Sequence, residues 1–386
     1  MGRERRDSRP RTAFVVLANR LVALLVAGLL LALPPILTLP SLIVTVRADG
    51  GAPNLVYVTG AGAHGDQLAI VDIGKRQVIA DTPVGAGASA VALSTDARSA
   101  YVANAHSGQL TIVDTRSHKV SANIHVGVGA SSLVLDLIHL PYHLFVASSG
   151  SNTVSVVDPD ARKVVATVPV GRAPTGVAIV YSGNGLRAGN TPDAEVYVAN
   201  SGSKSLTIIS ASTFQVKATI SLPDVPVGVV IPGLGGIGYV STLDGSVLAV
   251  NLATHQLLGT VYTFQGTPGA MDYDAVTGDI YVPYAAAGMV AVLRPAAVPA
   301  AGAAFTPPAE PVRTLAFTGD PAAVAITFDG ALGFVAQQEG GSVAMFDGAT
   351  HKPLTTIAVG GAPTALVTGA YPPALAPQTA GTLGYV

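Results

Sequence analysis

Read for hydrophobic and polar positions alone, the chain divides into short apolar runs separated by clusters of Gly, Asp, Ser and Pro. Residues 145 to 181, FVASSGSNTVSVVDPDARKVVATVPVGRAPTGVAIVY, show the unit. Three turn signals separate four strand-like runs, Phe145–Ser148, Thr153–Val157, Lys163–Val170 and Gly176–Tyr181. The alternation Val154, Ser155, Val156 predicts a half-exposed strand with one face on the core. An aromatic residue followed by Val then recurs seven times, as Tyr57-Val58, Tyr101-Val102, Phe145-Val146, Tyr197-Val198, Tyr239-Val240, Tyr281-Val282 and Phe334-Val335. The steps are 44, 44, 52, 42, 42 and 53 residues. A period near forty built from short strands predicts an all-β, seven-bladed β-propeller of four-stranded antiparallel blades.

A second series supports the first. Ala88, Ala130, Pro174, Pro226, Pro268, Pro321 and Pro363 recur at steps of 42, 44, 52, 42, 53 and 42 residues, just before the strand that opens each blade. Pro and the neighbouring glycines Gly85, Gly171, Gly266, Gly319 and Gly360 shape the crossover from one outer strand to the next inner strand. The first unit begins at its second strand, Leu55 to Gly60, whereas the last repeat ends in a surplus inner-strand match, Thr364 to Thr368. The C-terminus is therefore expected to complete the first blade and close the ring.

Repeat alignment also sorts candidate chemistry from backbone. Asp72, Asp114, Asp158, Ser210, Asn251, Arg294 and Asp347 open equivalent turns, where short polar side chains bond their own backbone. His118, His255 and His351 each lie four residues after a turn opener, so they are one repeat position, suited to left-handed backbone.

The segments YVTG (57–60), YVAN (101–104 and 197–200), VSVVD (154–158) and VPVGRAPTGVAI (168–179) resemble the YVTN family of β-propeller repeats, found in bacterial and archaeal envelope and surface-layer proteins. The resemblance spans 55 to 370 and implies the propeller fold. Similar rings serve as ligand-binding and scaffold proteins, and also as lactonases, quinone-dependent dehydrogenases and haem enzymes.

Composition adds the setting. The chain is 49% hydrophobic and only 11% charged, with 43 Gly, which suits many short strands joined by tight turns. Its formal charge of −2 hides an uneven distribution. Arg3, Arg5, Arg6, Arg9, Arg11 and Arg20 precede an uncharged stretch from Leu21 to Val46, and the body from Asp49 onward carries 14 bases against 21 acids. An acidic body disfavours nucleic acid. A basic flank before an apolar run keeps that flank in the cytoplasm and sends the chain beyond the run across the membrane. The organisation reads as a basic flank (1–20), a signal sequence or membrane anchor (21–48), a linker (49–54), the propeller (55–370) and a Pro/Ala-rich tail (371–386). Two versions of 21–48 stand: a cleaved signal with Val46-Arg47-Ala48 as its small-residue site, or an uncleaved anchor. The body is expected outside the cytoplasmic membrane as a monomeric ring with a protein or small-molecule ligand.

Cysteine is absent, which removes disulfides, thiol nucleophiles and thiolate metal sites. GAGAHG (60–65) and GLGGIG (233–238) match a dinucleotide pattern literally, yet each runs into a strand, not the helix whose N-terminus would hold a pyrophosphate. No catalytic constellation and no cofactor motif is evident. His139 and His143 flank Pro141 in an inner-to-second-strand turn, not on a helix. His64 and His106 fall in equivalent turns of adjacent blades and are the candidate metal pair. The central channel is the expected ligand site, with Asp136, Tyr181, Asp272 and Asp274 from inner strands and Arg172 from a crossover. Asp272 and Asp274 share a strand face by period two. The leading expectation is an extracytoplasmic binding or scaffold module of the cell envelope; the alternative is a lactonase-like hydrolase or quinone-cofactor oxidoreductase using channel carboxylates. Two insertions, Ser182 to Glu195 and Pro295 to Val312, should emerge at one end of the ring.

Overall fold

The computed structural model describes residues 54–62, 66–136, 139–182, 193–232, 236–308 and 313–369. Seven four-stranded antiparallel sheets form the seven blades of a propeller, each running from inner to second, third and outer strand. Blade 1 comprises Ala365–Thr368, Leu55–Ala61, Gln67–Asp72 and Gln77–Pro83. Blade 2 comprises Ala88–Leu93, Ser99–Asn104, Gln109–Asp114 and Lys119–His125. Blades 3 to 7 open with the inner strands Ala130–Leu135, Pro174–Ser182, Pro226–Val230, Asp272–Tyr273 and Pro321–Ile326.

The ring closes as the surplus inner strand requires. Val56 pairs with Thr368, Tyr57 with Val367, Val58 with Leu366 and Thr59 with Ala365. Backbone bonds continue on both sides, from Gly369 N–H to Leu55 O (2.8 Å) and from Ala362 N–H to Gly60 O (3.0 Å). Blade 1 is thus assembled from both ends of the described ring and leaves no open inner edge.

Around the channel the blades are stitched by hydroxyls one residue after the crossover series. Thr364 Oγ1 donates to Ala88 O (3.0 Å), Ser89 Oγ to Ala130 O (2.7 Å), Ser131 Oγ to Pro174 O (2.8 Å) and Thr175 Oγ1 to Pro226 O (3.4 Å). Val227, Gly269 and Ala322 take this position in blades 5 to 7. Between blades 6 and 7 the backbones approach directly instead, with Ala270 N–H on Ala322 O (2.8 Å) and Val324 N–H on Ala270 O (3.2 Å). Gly269 permits this, because a Cβ there would collide with the Ala322 carbonyl oxygen.

Second and third strands lie inside the stack of blades, so both of their faces are buried. Tyr57, Phe145, Tyr197, Tyr239, Tyr281 and Phe334 are each no more than 1% exposed. The apolar clusters sit between neighbouring blades, as where Val56 and Val58 of blade 1 meet Phe334 and Met345 of blade 7. The half-exposed strand expected at Val154–Val156 is corrected for this reason: Ser155 is buried and donates to Val126 O of blade 2 (2.7 Å). Alternation survives on the outer strands, as at Lys163–Pro169, where one face meets solvent.

The YVAN residues also gain a reason. Asn104 Nδ2 reaches Val102 O, Gln109 O and Thr111 Oγ1 across its hairpin, and Asn200 Nδ2 repeats this with Val198 O, Ser205 O and Thr207 Oγ1. A crossover glycine lies over each: a Cβ on Gly85 would stand 2.9 Å from Asn104 Cγ.

This connectivity gives the ring two distinct faces. The crossover face carries the outer-to-inner crossings and the second-to-third turns. The opposite, insertion face carries the inner-to-second and third-to-outer turns, both insertions, and the Leu55 and Gly369 ends of the closing pair. Residues 183–192 and 309–312 of the insertions lie outside the described residues.

Removal of residues 361–386 deletes the closing strand and exposes the inner edge of blade 1. It is expected to cost more than about 3 kcal/mol, the scale of a large core truncation. Cooperative melting of the truncated chain at the parent temperature would refute the closure.

Candidate functional site

The turn openers behave as expected. Lys75 N–H bonds Asp72 Oδ1 (2.8 Å), Ser117 N–H bonds Asp114 Oδ1 (2.7 Å), Ala161 N–H bonds Asp158 Oδ1 (2.8 Å) and Thr350 N–H bonds Asp347 Oδ1 (2.7 Å). Ser210 and Asn251 do the same with Thr213 and Thr254. Backbone and hydroxyl donors of Ser117 and Thr350 hold Asp114 and Asp347 below the usual carboxylate range.

Four residues on, the backbone is left-handed in six blades, at Arg76, His118, Arg162, Phe214, His255 and His351, with φ between 54° and 59°. The side chains at this position do more than fill a turn: they reach back to the preceding blade. His351 Nε2 meets the Tyr281 hydroxyl (2.9 Å), Phe214 packs edge-on against Phe145 (6.1 Å between centroids), and Arg162 donates to Ser121 O (3.2 Å).

At His255 the same device builds a buried ionic cluster that sequence reading missed. Glu195 is 5% exposed; its Oε2 accepts from Tyr197 O–H (3.2 Å) and lies 2.9 Å from His255 Nε2, while Lys217 Nζ bonds Oε1. Burial by itself raises the Glu195 carboxyl, but hydrogen bonds and charge from Lys217 and His255 outweigh it and hold the group below its usual range. The signal was in the alignment: Glu195 stands two residues before its blade's aromatic, as His143 does, and each faces the left-handed residue of the next blade, His255 and Phe214.

The five channel candidates part company. Asp136 and Asp274 occupy one repeat position, shared with Ser94 and Thr327, where the backbone turns from inner to second strand. Asp136 is fully buried, with Oδ2 2.6 Å from His139 Nδ1 and its amide on His143 O (2.9 Å). Asp274 accepts from Val276 N–H (2.7 Å) and Thr277 Oγ1 (2.9 Å). The inner strand of blade 6 ends at Tyr273, so Asp272 and Asp274 do not extend one strand face: the first is on the strand and the second opens the turn. Tyr181 is half-buried against the cluster shared by blades 3 and 4. Arg172 is exposed on the crossover face, its amide bonded to Ser203 Oγ (3.0 Å), away from the other four.

Asp272 is the departure from the repeat. It pairs with Tyr281, and the residues opposite the aromatic in the other blades are Ala92, Val134, Ala178, Val230, Ala325 and Val367. Those six are apolar and pack toward the next blade. Asp272 turns its carboxylate the same way, accepting from Ile326 N–H of blade 7 (2.8 Å). Part of the residue is open, yet the carboxyl lies deep among protein atoms, and depth governs its titration. Burial, helped by the charge of Asp274, pushes its pKa up to about 7 against the pull of the Ile326 and Tyr273 amides.

His106 is exposed in the second-to-third turn of blade 2, and its intended metal partner His64 lies outside the described residues. Among the described residues no three His, Asp or Glu side chains converge on a common point. An open groove of about 440 Å³ on blade 4 is lined by Ser203, Ser205, Thr207, Thr219 and Ser221 with no charged side chain.

The fold has clear relatives among solved structures. A functionally unknown protein from Desulfotomaculum acetoxidans is 13% identical, with a TM-score of 0.66 over 83% of this chain and 100% of that one. The dihydro-heme d1 dehydrogenase NirN in complex with DHE is 15% identical, with a TM-score of 0.57 over 86% of this chain and 78% of that one. Kuenenia stuttgartiensis hydrazine synthase is 16% identical, with a TM-score of 0.56 over 72% and 88%. These likenesses define the class, a β-propeller, and nothing narrower. No protein-family model and no curated protein matches the chain.

The two buried carboxyls, Asp272 and Glu195, should respond to pH and substitution in different ways. A carboxyl whose folded pKa is raised stabilises fully below its unfolded pKa near 4, and that contribution is lost as pH rises through about 7. Relative to Asp272→Asn, the parent should therefore lose roughly 2 to 4 kcal/mol between pH 4 and pH 8; parallel stability curves for the two chains would show the carboxyl titrates normally. Glu195→Leu, which leaves Lys217 and His255 without their shared anion, should cost about 3 kcal/mol by denaturant titration. A loss below about 0.5 kcal/mol, the scale of an exposed pair, would count against a buried clasp.

Proposed function

We propose that the chain is a binding or scaffold propeller held on the outer side of the cytoplasmic membrane, with the insertion face as its working surface. One observation carries the reading: the two faces are unlike. The insertion face bears both long insertions and four exposed apolar side chains, Leu140, Val276, Val298 and Phe328, at 77%, 61%, 43% and 52% exposure. Connecting loops on a rigid scaffold are where binding surfaces are built. The Arg-flanked uncharged stretch from Leu21 to Val46 supports the location. The YVTN-like motifs agree with an envelope setting, although they coincide with the strand and hairpin residues that the fold itself requires.

The absence of cysteine gives a clean test. Val128→Cys places a single thiol on an exposed site of the crossover face. A membrane-impermeant maleimide should label it in intact spheroplasts to the same extent as after lysis. Labelling confined to lysed cells would place the propeller in the cytoplasm and end this reading.

The enzymatic alternative, a lactonase-like hydrolase or a quinone-cofactor oxidoreductase, draws support from Asp272 alone. A carboxyl that titrates near neutrality is suited to general acid-base work. Turnover of a lactone panel or a quinone-coupled dye, abolished by Asp272→Asn with the melting transition retained, would favour it over the binding reading.

A further inference from the structure

We propose that the inner strand of blade 6 is a proton-operated gate in the channel wall, sealed against blade 7 while Asp272 is uncharged and released from it when Asp272 is ionised. The gate goes beyond the binding reading and does not depend on it.

Its origin is Pro283. The corresponding residues Ser241 of blade 5 and Ala336 of blade 7 pair with the third residue of their inner strands, Gly228 and Ala323. A proline has no N–H to give such a ladder. In blade 6 the ladder is cut to Asp272 with Tyr281 and Tyr273 with Ile280, helped by a bridge from Pro268 to Tyr284 and by Gly269 N–H on Pro283 O (2.8 Å). Ala270 turns both of its backbone groups to blade 7 instead, its N–H to Ala322 O (2.8 Å) and its carbonyl to Val324 N–H (3.2 Å). A parallel ladder would next offer Ile326 N–H a backbone carbonyl. By then the strand has returned to its own blade, and the Asp272 carboxylate accepts that N–H (2.8 Å). An amide side chain would accept it equally well; only an acid adds a charge that comes and goes.

The groups around Asp272 set the sign. On its own blade these are Asp274, whose charge opposes a second anion, and Tyr281 across the ladder, whose hydroxyl is kept protonated by burial. Asp279 and Arg313 bear on Tyr281, Arg313 from the outer strand at the far edge of the blade. In blade 7 the inner strand Pro321–Ile326 brings no ionisable side chain, and Asp329 caps its own turn at Ala331 N–H. His351 is turned onto the Tyr281 hydroxyl, its pKa lowered by burial and by Arg313. Blade 5 brings none from Pro226–Val230. With Asp274 as the charge that bears on it, the Asp272 carboxyl keeps its proton up to about pH 7. Above that, the anion regains hydration by turning into the channel, which its half-exposed residue already borders, and gives up Ile326 N–H. The two Ala270 bonds are then left to hold the inner strands together, and Pro283 denies the strand a full ladder of its own. The seams from blade 1 to blade 5 are stitched by hydroxyls, which carry no charge, so the same rise in pH leaves them shut.

Hydrogen–deuterium exchange of the full chain, read by mass spectrometry and corrected for the intrinsic pH dependence of amide exchange, tests the gate. Between about pH 6 and about pH 8.5, parent peptides covering 268–273 and 322–327 should lose protection by about tenfold or more, while one covering 226–230 should not. In Asp272→Asn both peptides should be equally protected at the two pH values. Asp272→Val, which restores an apolar residue used by other blades, should behave in the same way and serves if the Asn variant does not fold. Pro283→Ala restores the missing donor and should remove most of the pH dependence with Asp272 in place. Equal protection of the parent at both pH values overturns the gate, as does an equal loss in Asp272→Asn or an undiminished one in Pro283→Ala. A loss spread evenly over all the inner strands also overturns it, because the ring as a whole would then be unfolding. No ligand enters the measurement, so its failure leaves the binding reading standing.

Discussion

The pairing of Ala365–Thr368 with Leu55–Ala61 converts a row of blades into a ring. A four-stranded blade has two apolar faces and covers neither by itself, so each of the seven needs two neighbours. Without the closing strand, blades 7 and 1 would each present one face and blade 1 an open inner edge. The cluster that joins Val56, Val58, Phe334 and Leu366 exists only because both ends of the ring contribute to it. The hydroxyls of Thr364, Ser89, Ser131 and Thr175 then extend the closure around the channel, each anchoring the carbonyl that opens the next inner strand.

Much of the polar chemistry is consumed in the same task. The turn-opening carboxylates cap their own backbone, and the residue four places later uses left-handed geometry to throw its side chain onto the previous blade. Three unlike contacts, a histidine on a phenol, a phenylalanine on a phenylalanine and an arginine on a carbonyl, perform this one architectural role. The Glu195 cluster is the most polar variant of it. Such a cluster resembles a catalytic arrangement when its residues are considered singly, whereas the repeat alignment shows an interblade clasp.

Periodicity made the ring, its closure, the capping carboxylates and the left-handed histidines legible in sequence, because each is a local property repeated at fixed spacing. Burial on both faces of Thr153–Asp158 was not legible, since alternation tells which side chains differ, not whether a neighbouring blade covers them. Ser155 looked exposed and is instead bonded to Val126 of blade 2. The contact of Glu195 with His255 spans sixty residues, and only the reach of both side chains brings it about. Period two likewise failed for Asp272 and Asp274, because the strand ends between them and the second residue belongs to the turn.

In a ring of equivalent positions, a residue that the repeat does not need is the best guide to selection for something else. Asp136 and Asp274 lose that status once Ser94 and Thr327 are seen to open the same turn. Asp272 keeps it. Six blades place Ala or Val opposite their aromatic, and an apolar residue there would spare blade 6 the burial of a carboxyl. The ionised form is disfavoured at the 6–7 interface, where backbone pairing at Ala270 and Ala323 already holds the inner strands together. Asp272 does bond the Ile326 amide, but blades that have Ala or Val at this position close without a carboxylate. Stability alone therefore does not account for an acid at this point, which is why the enzymatic alternative rests on Asp272 and on no other residue of the channel.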